Sequence, residues 1–257
     1  MSLFDTHCHF DFAPFAADFA LNWQQAQAQG VKRMVIPAVG ESNWHRIDQL
    51  SRHNHGLYYA LGWHPHFLQG EPDVALDLLA QALESRTEQC IAVGECGLDF
   101  AIDTSPERQE QFFTGQIELA LRLQLPLIIH SRKAHNRILQ LLKQYHFNAG
   151  GILHAFSGSY QQAMQFVELG FYIGVGGVIT YPRANKTRHA VKRLPLECLV
   201  LETDAPDMPI CGRQGMDNHP KWLQDILYEL ADLKETSAQT IAPILWRNSH
   251  RAFNICK

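Results

Sequence analysis

The 257-residue chain carries 22 Lys and Arg against 26 Asp and Glu, a formal net charge of −4, so it lacks the basic surface with which proteins hold polyanions by bulk electrostatics. Hydrophobic residues make up 46% and charged residues 19%, which excludes a disordered chain, and no apolar run approaches the roughly 18 residues of a membrane span. The length matches the roughly 250 residues of one closed α/β barrel, so residues 1–257 are expected to form a single domain.

Met1 leads straight into an apolar strand at 3–7, without the basic stretch and apolar run of a secretory leader. A helix follows at 18–29, then strand 33–39 with helix 42–52, strand 57–61 with helix 74–85, and strand 91–95 with helix 106–123. Strand 127–130 precedes helix 133–145, strand 151–154 helix 159–169, and strand 171–175 helix 183–193. The last strand, 198–203, is followed by two helices, 220–233 and 237–253. Strand-length apolar runs alternating with segments of helical period are the signature of parallel βαβ units. Eight such units with short connections favour a closed (β/α)8 barrel of the TIM type, with an extra C-terminal helix, over an open sheet. Ser105-Pro106-Glu107 reads as a helix start, and Gly30, Gly150 and Gly170 fall where helices should stop. The cysteines, Cys8, Cys90, Cys96, Cys198, Cys211 and Cys256, form no C-x-x-C pair; reduced thiols in a soluble, cytoplasmic protein are expected.

Polar residues gather at one end of these strands. His7 and His9 end the first, His64 follows the third in Gly62-Trp63-His64-Pro65-His66, Glu95 ends the fourth, and His130 and His154 end the fifth and sixth. Asp204 follows the eighth, in Leu201-Glu202-Thr203-Asp204-Ala205-Pro206. In such barrels the C-terminal strand ends carry the active site, so residues distant in sequence converge there. On an extended segment His7 and His9 face the same way, about 6.6 Å apart along the chain, close enough to share one ion, while Cys8 faces the other way. An isolated H-x-H is weak, and His53, His55, His135, His146 and His250 read as ordinary surface or undecided positions.

A carboxylate can bridge two cations, so Glu95 is the natural shared ligand of a two-metal site; a buried acid paired with Arg is the plain alternative. Asp204 suits a ligand and general base that takes a proton from water, or else a helix N-cap before Pro206. His64, immobilised by Pro65, is the candidate donor to a substrate oxygen, and Arg132 the candidate bidentate partner of a phosphate; a structural histidine and a surface ion pair are the alternatives. Asp5 is expected either to orient the His7 imidazole from behind or to pack in the core with a local hydrogen bond. Gly174-Val175-Gly176-Gly177 lacks the Lys-Ser/Thr of a phosphate-binding loop, and its glycines are expected to let the backbone turn at the mouth. No Ser or Cys sits in a nucleophile elbow, so covalent catalysis has no support.

Together these motifs resemble the TatD family of metal-dependent hydrolases, among the amidohydrolase-like barrels. The resemblance spans essentially the whole chain, through Asp5-Thr6-His7-Cys8-His9-Phe10-Asp11, Gly62-Trp63-His64-Pro65-His66, Val93-Gly94-Glu95-Cys96-Gly97-Leu98-Asp99, His130-Ser131-Arg132, His154-Ala155-Phe156-Ser157-Gly158, Glu202-Thr203-Asp204-Ala205-Pro206 and residues 248–253. It implies two divalent cations per chain, Zn, Mn or Mg, one held by His7, His9, Glu95 and Asp204 and the other by Glu95, His130 and His154. It further implies a nuclease-type phosphodiesterase with Asp204, Glu95 and His64 in catalytic roles and His64 and Arg132 on the phosphate. The expected substrate is the end of a single DNA strand, whose small positive focus is compatible with an acidic chain; no membrane and no obligate protein partner are expected. The loops at 173–180 and 209–219 depart from the commoner family wording, and both are expected to line the mouth. The alternatives are a small-molecule amidohydrolase or phosphotriesterase, disfavoured by the lack of a Lys that could serve as a carboxylated bridge, and a non-catalytic metal-binding barrel.

Overall fold

In the computed structural model, which describes residues 1–255, eight parallel strands pair in sequential order. They are β1 (Leu3–Asp5), β2 (Val31–Pro37), β3 (Leu57–Leu61), β4 (Cys90–Asp99), β5 (Leu127–Arg132), β6 (Gly151–Leu153), β7 (Phe171–Val175) and β8 (Leu199–Leu201). Each strand is followed by a helix on the outside. These are α1 (Phe19–Ala28), α2 (Glu41–His53), α3 (Ala75–Glu84), α4 (Pro106–Leu123), α5 (His135–Gln144), α6 (Tyr160–Val167), α7 (Asn185–Arg193) and α8 (Leu223–Leu233), with α9 (Ala238–Ala252) as the extra C-terminal helix.

Every strand contributes to two apolar layers because its side chains alternate. Phe4, Val35, Ala60, Ala92, Ile128, Ile152 and Val200 point inward and fill the barrel. The opposite faces, with residues such as Met34, Tyr59, Val93, Ile129 and Ile173, pack against the helices. The bottom of the barrel is closed by α9, whose Trp246 ring lies 6.0 Å from Phe4, with Phe253 at 6.1 Å. The expected helix signals are in place. Ser105 caps α4 by accepting from the Arg108 N–H, and Gly30, at φ 95° beyond α1, leaves no room for a Cβ, which would fall 2.6 Å from the Met1 carbonyl oxygen.

Strand ends differ from expectation where side chains replace ladder bonds. β1 stops at Asp5, not His7, yet the seam with β8 continues: Thr6 N–H donates to Leu201 O at 2.9 Å and Asp204 N–H to His7 O at 2.9 Å. The Asp5 carboxylate clasps the same seam, accepting from Thr203 N at 3.0 Å, Thr203 Oγ1 at 2.6 Å and the His7 backbone N–H at 3.3 Å. Asp5 therefore holds backbone, and does not orient the His7 imidazole as expected from sequence. β4 runs past Glu95 to Asp99 because Gly97, Leu98 and Asp99 keep pairing with His130, Ser131 and Arg132. Cys8, Cys90, Cys96, Cys198 and Cys211 are free thiols, and Cys256 lies outside the described residues. No described helix is long and apolar enough to cross a membrane.

Candidate metal centre

Beyond β1 the backbone stays extended, with Cys8 N–H donating to Val35 O and His9 N–H to Ala205 O. Cys8 turns into the core, and the two imidazoles turn to the barrel axis with their Nε2 atoms 3.4 Å apart. Glu95, at the centre of β4, brings Oε2 to 3.0 Å from His7 Nε2 and 3.5 Å from His9 Nε2. Asp204 Oδ1 lies 3.6 Å from His7 Nε2 and 3.7 Å from His9 Nε2. Four donors about 2.1 Å from one tetrahedral ion stand about 3.4 Å from one another. The distance between the two imidazole nitrogens and those from each of them to the two carboxylate oxygens bracket that value, and His7, His9 and Glu95 form a group able to hold a metal ion.

The second oxygen of each carboxylate faces a second group of histidines. Glu95 Oε1 is 3.1 Å from His130 Nδ1, 3.4 Å from His64 Nε2 and 4.0 Å from His154 Nε2. Asp204 Oδ2 is 3.5 Å from His154 Nε2. Glu95 and Asp204 thus each span both groups, although the resemblance assigned Asp204 to one ion only. The His7 and His154 rings stack 3.4 Å apart between the groups. His64 is buried, with Nδ1 accepting from the His66 N–H at 3.2 Å and Nε2 turned into the cluster beside Glu95.

The electrostatics are those of a site arranged for positive charge. Burial would raise the Glu95 carboxyl, but His7, His64, His154 and His130 outweigh it and hold the group well below the usual carboxylate range. Asp204 is lowered in the same way, with burial opposed by His154, His7 and His9. Burial opposes a charge on His130, yet hydrogen bonds to Asp99 and Glu95 push it up to about 9. His64 is lowered to about 4, because burial outweighs the pull of Glu95. In the interior, Nδ1 of His7 and of His9 find no hydrogen-bond partner among the described residues.

Two carboxylates at the site carry roles that the sequence reading did not assign. Asp99, brought to the mouth by the extension of β4, accepts from His130 Nε2 at 3.1 Å and His66 Nε2 at 3.0 Å. Glu202, beneath the cluster, lies 3.1 Å from His154 Nδ1 and accepts the Ala155 N–H at 2.6 Å. Gly174, within β7, makes room for it. A Cβ on Gly174 would collide with Glu202 Oε2, and none of Gly174, Gly176 and Gly177 has positive φ. Gly174 and Gly177 therefore serve close approach, to Glu202 and to Met208, rather than a left-handed turn.

A cavity of about 660 Å3 opens above the cluster, with Glu95, Asp204, His9, His64, His130 and His154 on its floor. Phe12, Phe67, Val178 and Met208 give it apolar walls, while Arg132, His66 and Ser157 give it polar ones. The Arg132 side chain is 61% exposed and its Nη1 is 3.9 Å from Asp99 Oδ2. The loop at 173–180 reaches this cavity through Val178, as expected. By contrast, Cys211, Gly212 and Arg213 line a separate depression beside α8, because the chain turns away from the mouth after Met208.

Residues 4–254 match the profile of the family described as TatD related DNase. The chain is 46% identical over 252 residues to the uncharacterized metal-dependent hydrolase YjjV of Escherichia coli, covering 98% of this chain and 97% of that protein. It is 34% identical to the uncharacterized metal-dependent hydrolase YabD of Bacillus subtilis, covering 98% of this chain and 99% of the relative. The crystal structure of the Escherichia coli YjjV protein, a TatD homologue, superposes with a TM-score of 0.96 at 45% identity over 99% of this chain and 98% of that one. The barrel, its histidine and carboxylate cluster and these likenesses agree, and the chain belongs to the TatD-related family of metal-dependent hydrolases.

Proposed function

We propose that this protein hydrolyses phosphodiesters, with the end of a single DNA strand as substrate, at a centre of two divalent cations. The observation that carries this reading is the shared position of Glu95 and Asp204: each presents one carboxylate oxygen to His7 and His9, while the other oxygen of Glu95 faces His130 and that of Asp204 faces His154. In this assignment His7, His9, Glu95 and Asp204 would hold one ion, and Glu95, His130 and His154 the other. Bound there, a pair of Zn, Mn or Mg ions supplies Lewis-acid charge for the oxygens of an in-line displacement and favours ionisation of water near neutral pH.

The chain's own groups do the rest. Asp204, ionised and in contact with the cavity, orients the attacking water and takes its proton. His64 is neutral near pH 7 and keeps its Nε2 beside Glu95, where it donates to a phosphate oxygen. Arg132 is exposed at the rim, free to swing onto the phosphate and pair with it bidentately. A cavity of about 660 Å3 is of the size that encloses one small ligand, which suits the terminal nucleotide of a strand better than a duplex. Its Phe12 and Phe67 walls offer faces on which a base can stack.

The test is a single-stranded oligonucleotide labelled near its 3′ end, incubated with Mg2+, Mn2+ or Zn2+. Shortening of the strand by the wild-type protein is expected, with Asp204→Ala reducing the rate by at least 100-fold and chelation abolishing it. Unchanged DNA under every ion, alongside turnover of a cyclic amide or lactone, would replace this reading with that of a small-molecule amidohydrolase.

A further inference from the structure

We infer that Asp99 is a positioning residue for the second metal position, fixing which ring nitrogen of His130 faces Glu95 and tying the mouth residue His66 to the same support. The inference rests on the two-cation reading above. Among the proposed histidine ligands, His130 faces Glu95 with Nδ1, at 3.1 Å from Oε1, whereas His7, His9 and His154 face the cluster with Nε2. The outer nitrogen of His130, Nε2, lies 3.1 Å from Asp99 Oδ2. An ionised carboxylate only accepts, so this contact places the proton of a neutral imidazole on Nε2 and leaves the Nδ1 lone pair for a cation.

Asp99 is itself built into the scaffold. It is fully buried, its N–H donates to Gln109 Oε1 at 2.7 Å, its carbonyl accepts from Gln109 Nε2 at 2.9 Å, and Oδ1 accepts from the Ala101 N–H at 2.9 Å. That leaves Oδ2 aimed at His130 and at His66 Nε2, 3.0 Å away. One carboxylate oxygen therefore supports both a candidate ligand and a side chain on the cavity wall. In the Asp99→Asn variant the amide offers one acceptor and one donor in place of two acceptors. With the Ala101 N–H also to satisfy, it cannot accept from the Nε2–H of both rings as well.

The test uses the full chain and Zn2+ alone, titrated against a competing chelator. Asp99→Asn is expected to retain the tighter ion while its affinity for the second falls about 10- to 100-fold. In parallel, ring-nitrogen NMR of the Zn2+-loaded wild type is expected to show His130 coordinated through Nδ1 with its proton on Nε2, a readout that survives even if the variant fails to fold. Equal affinity for both ions in wild type and variant, or His130 coordinated through Nε2, would overturn the role assigned to Asp99. Failure of the wild type to bind Zn2+ at all would instead overturn the metal-centre reading beneath it.

Discussion

Glu202 illustrates how single side chains fix this site. It sits under His154, wholly buried, and its Oε2 has no hydrogen-bond partner among the described residues. Space for that oxygen exists only because position 174 has no Cβ. Gly174→Ala would press a methyl group against a carboxylate held from the other side by the Ala155 N–H. The expected cost is about 1–3 kcal/mol, the usual range for forcing extra carbon into a filled interior, together with weaker cation binding as His154 is displaced. A urea melt with the same midpoint as wild type would show that Glu202 has room to move. Asp99 and Glu202 stand in motifs visible in the sequence, yet their roles were not legible there. Their partners depend on how far β4 runs and on which residues of neighbouring strands lie at the same height, and those are matters of register.

At the scale of elements, the eight strands and the helices between them were legible because apolar runs of strand length alternate with helical periods. Their ends were less so, because the seam between β1 and β8 is sewn by Asp5 and Thr203 side chains rather than by a regular ladder. His219 joins elements in a comparable way. Its Nδ1 accepts from the Lys221 N–H at 3.0 Å, capping the turn that leads into α8, while Nε2 meets Asn22 Oδ1 of α1 at 3.1 Å. Accepting at Nδ1 requires a neutral ring with its proton on Nε2, and burial, aided by the Lys221 charge, lowers its pKa from 6.5 to about 4. Between those values the unfolded chain binds a proton that the folded chain refuses, so this contribution to stability is complete above pH 6.5 and fades as pH falls toward 4. The gap in urea midpoint between wild type and His219→Asn should therefore narrow on acidification across that window. Parallel curves would mean that the ring titrates normally.

For the whole molecule, the barrel explains why residues as far apart as His7 and Asp204 meet: each strand delivers its next residues to the same rim, and His7 O even accepts from Asp204 N–H. The convergence of His7, His9, Glu95, His130, His154 and Asp204 followed from the strand count. The sharing of oxygens between the two histidine groups did not, since it depends on carboxylate rotation. The bottom of the barrel, sealed by Phe4, Trp246 and Phe253, is left to stability, and the open end to chemistry. Two cations bridged by Glu95 are what we propose for this open end. Anomalous diffraction from crystals of the full chain soaked in Zn2+ tests this proposal most directly. Two peaks are predicted, one beside His7 and His9 and one beside His130 and His154, with the Glu95 carboxylate between them. A single peak enclosed by His7, His9, Glu95 and Asp204, with His130 and His154 bearing none, would contradict it.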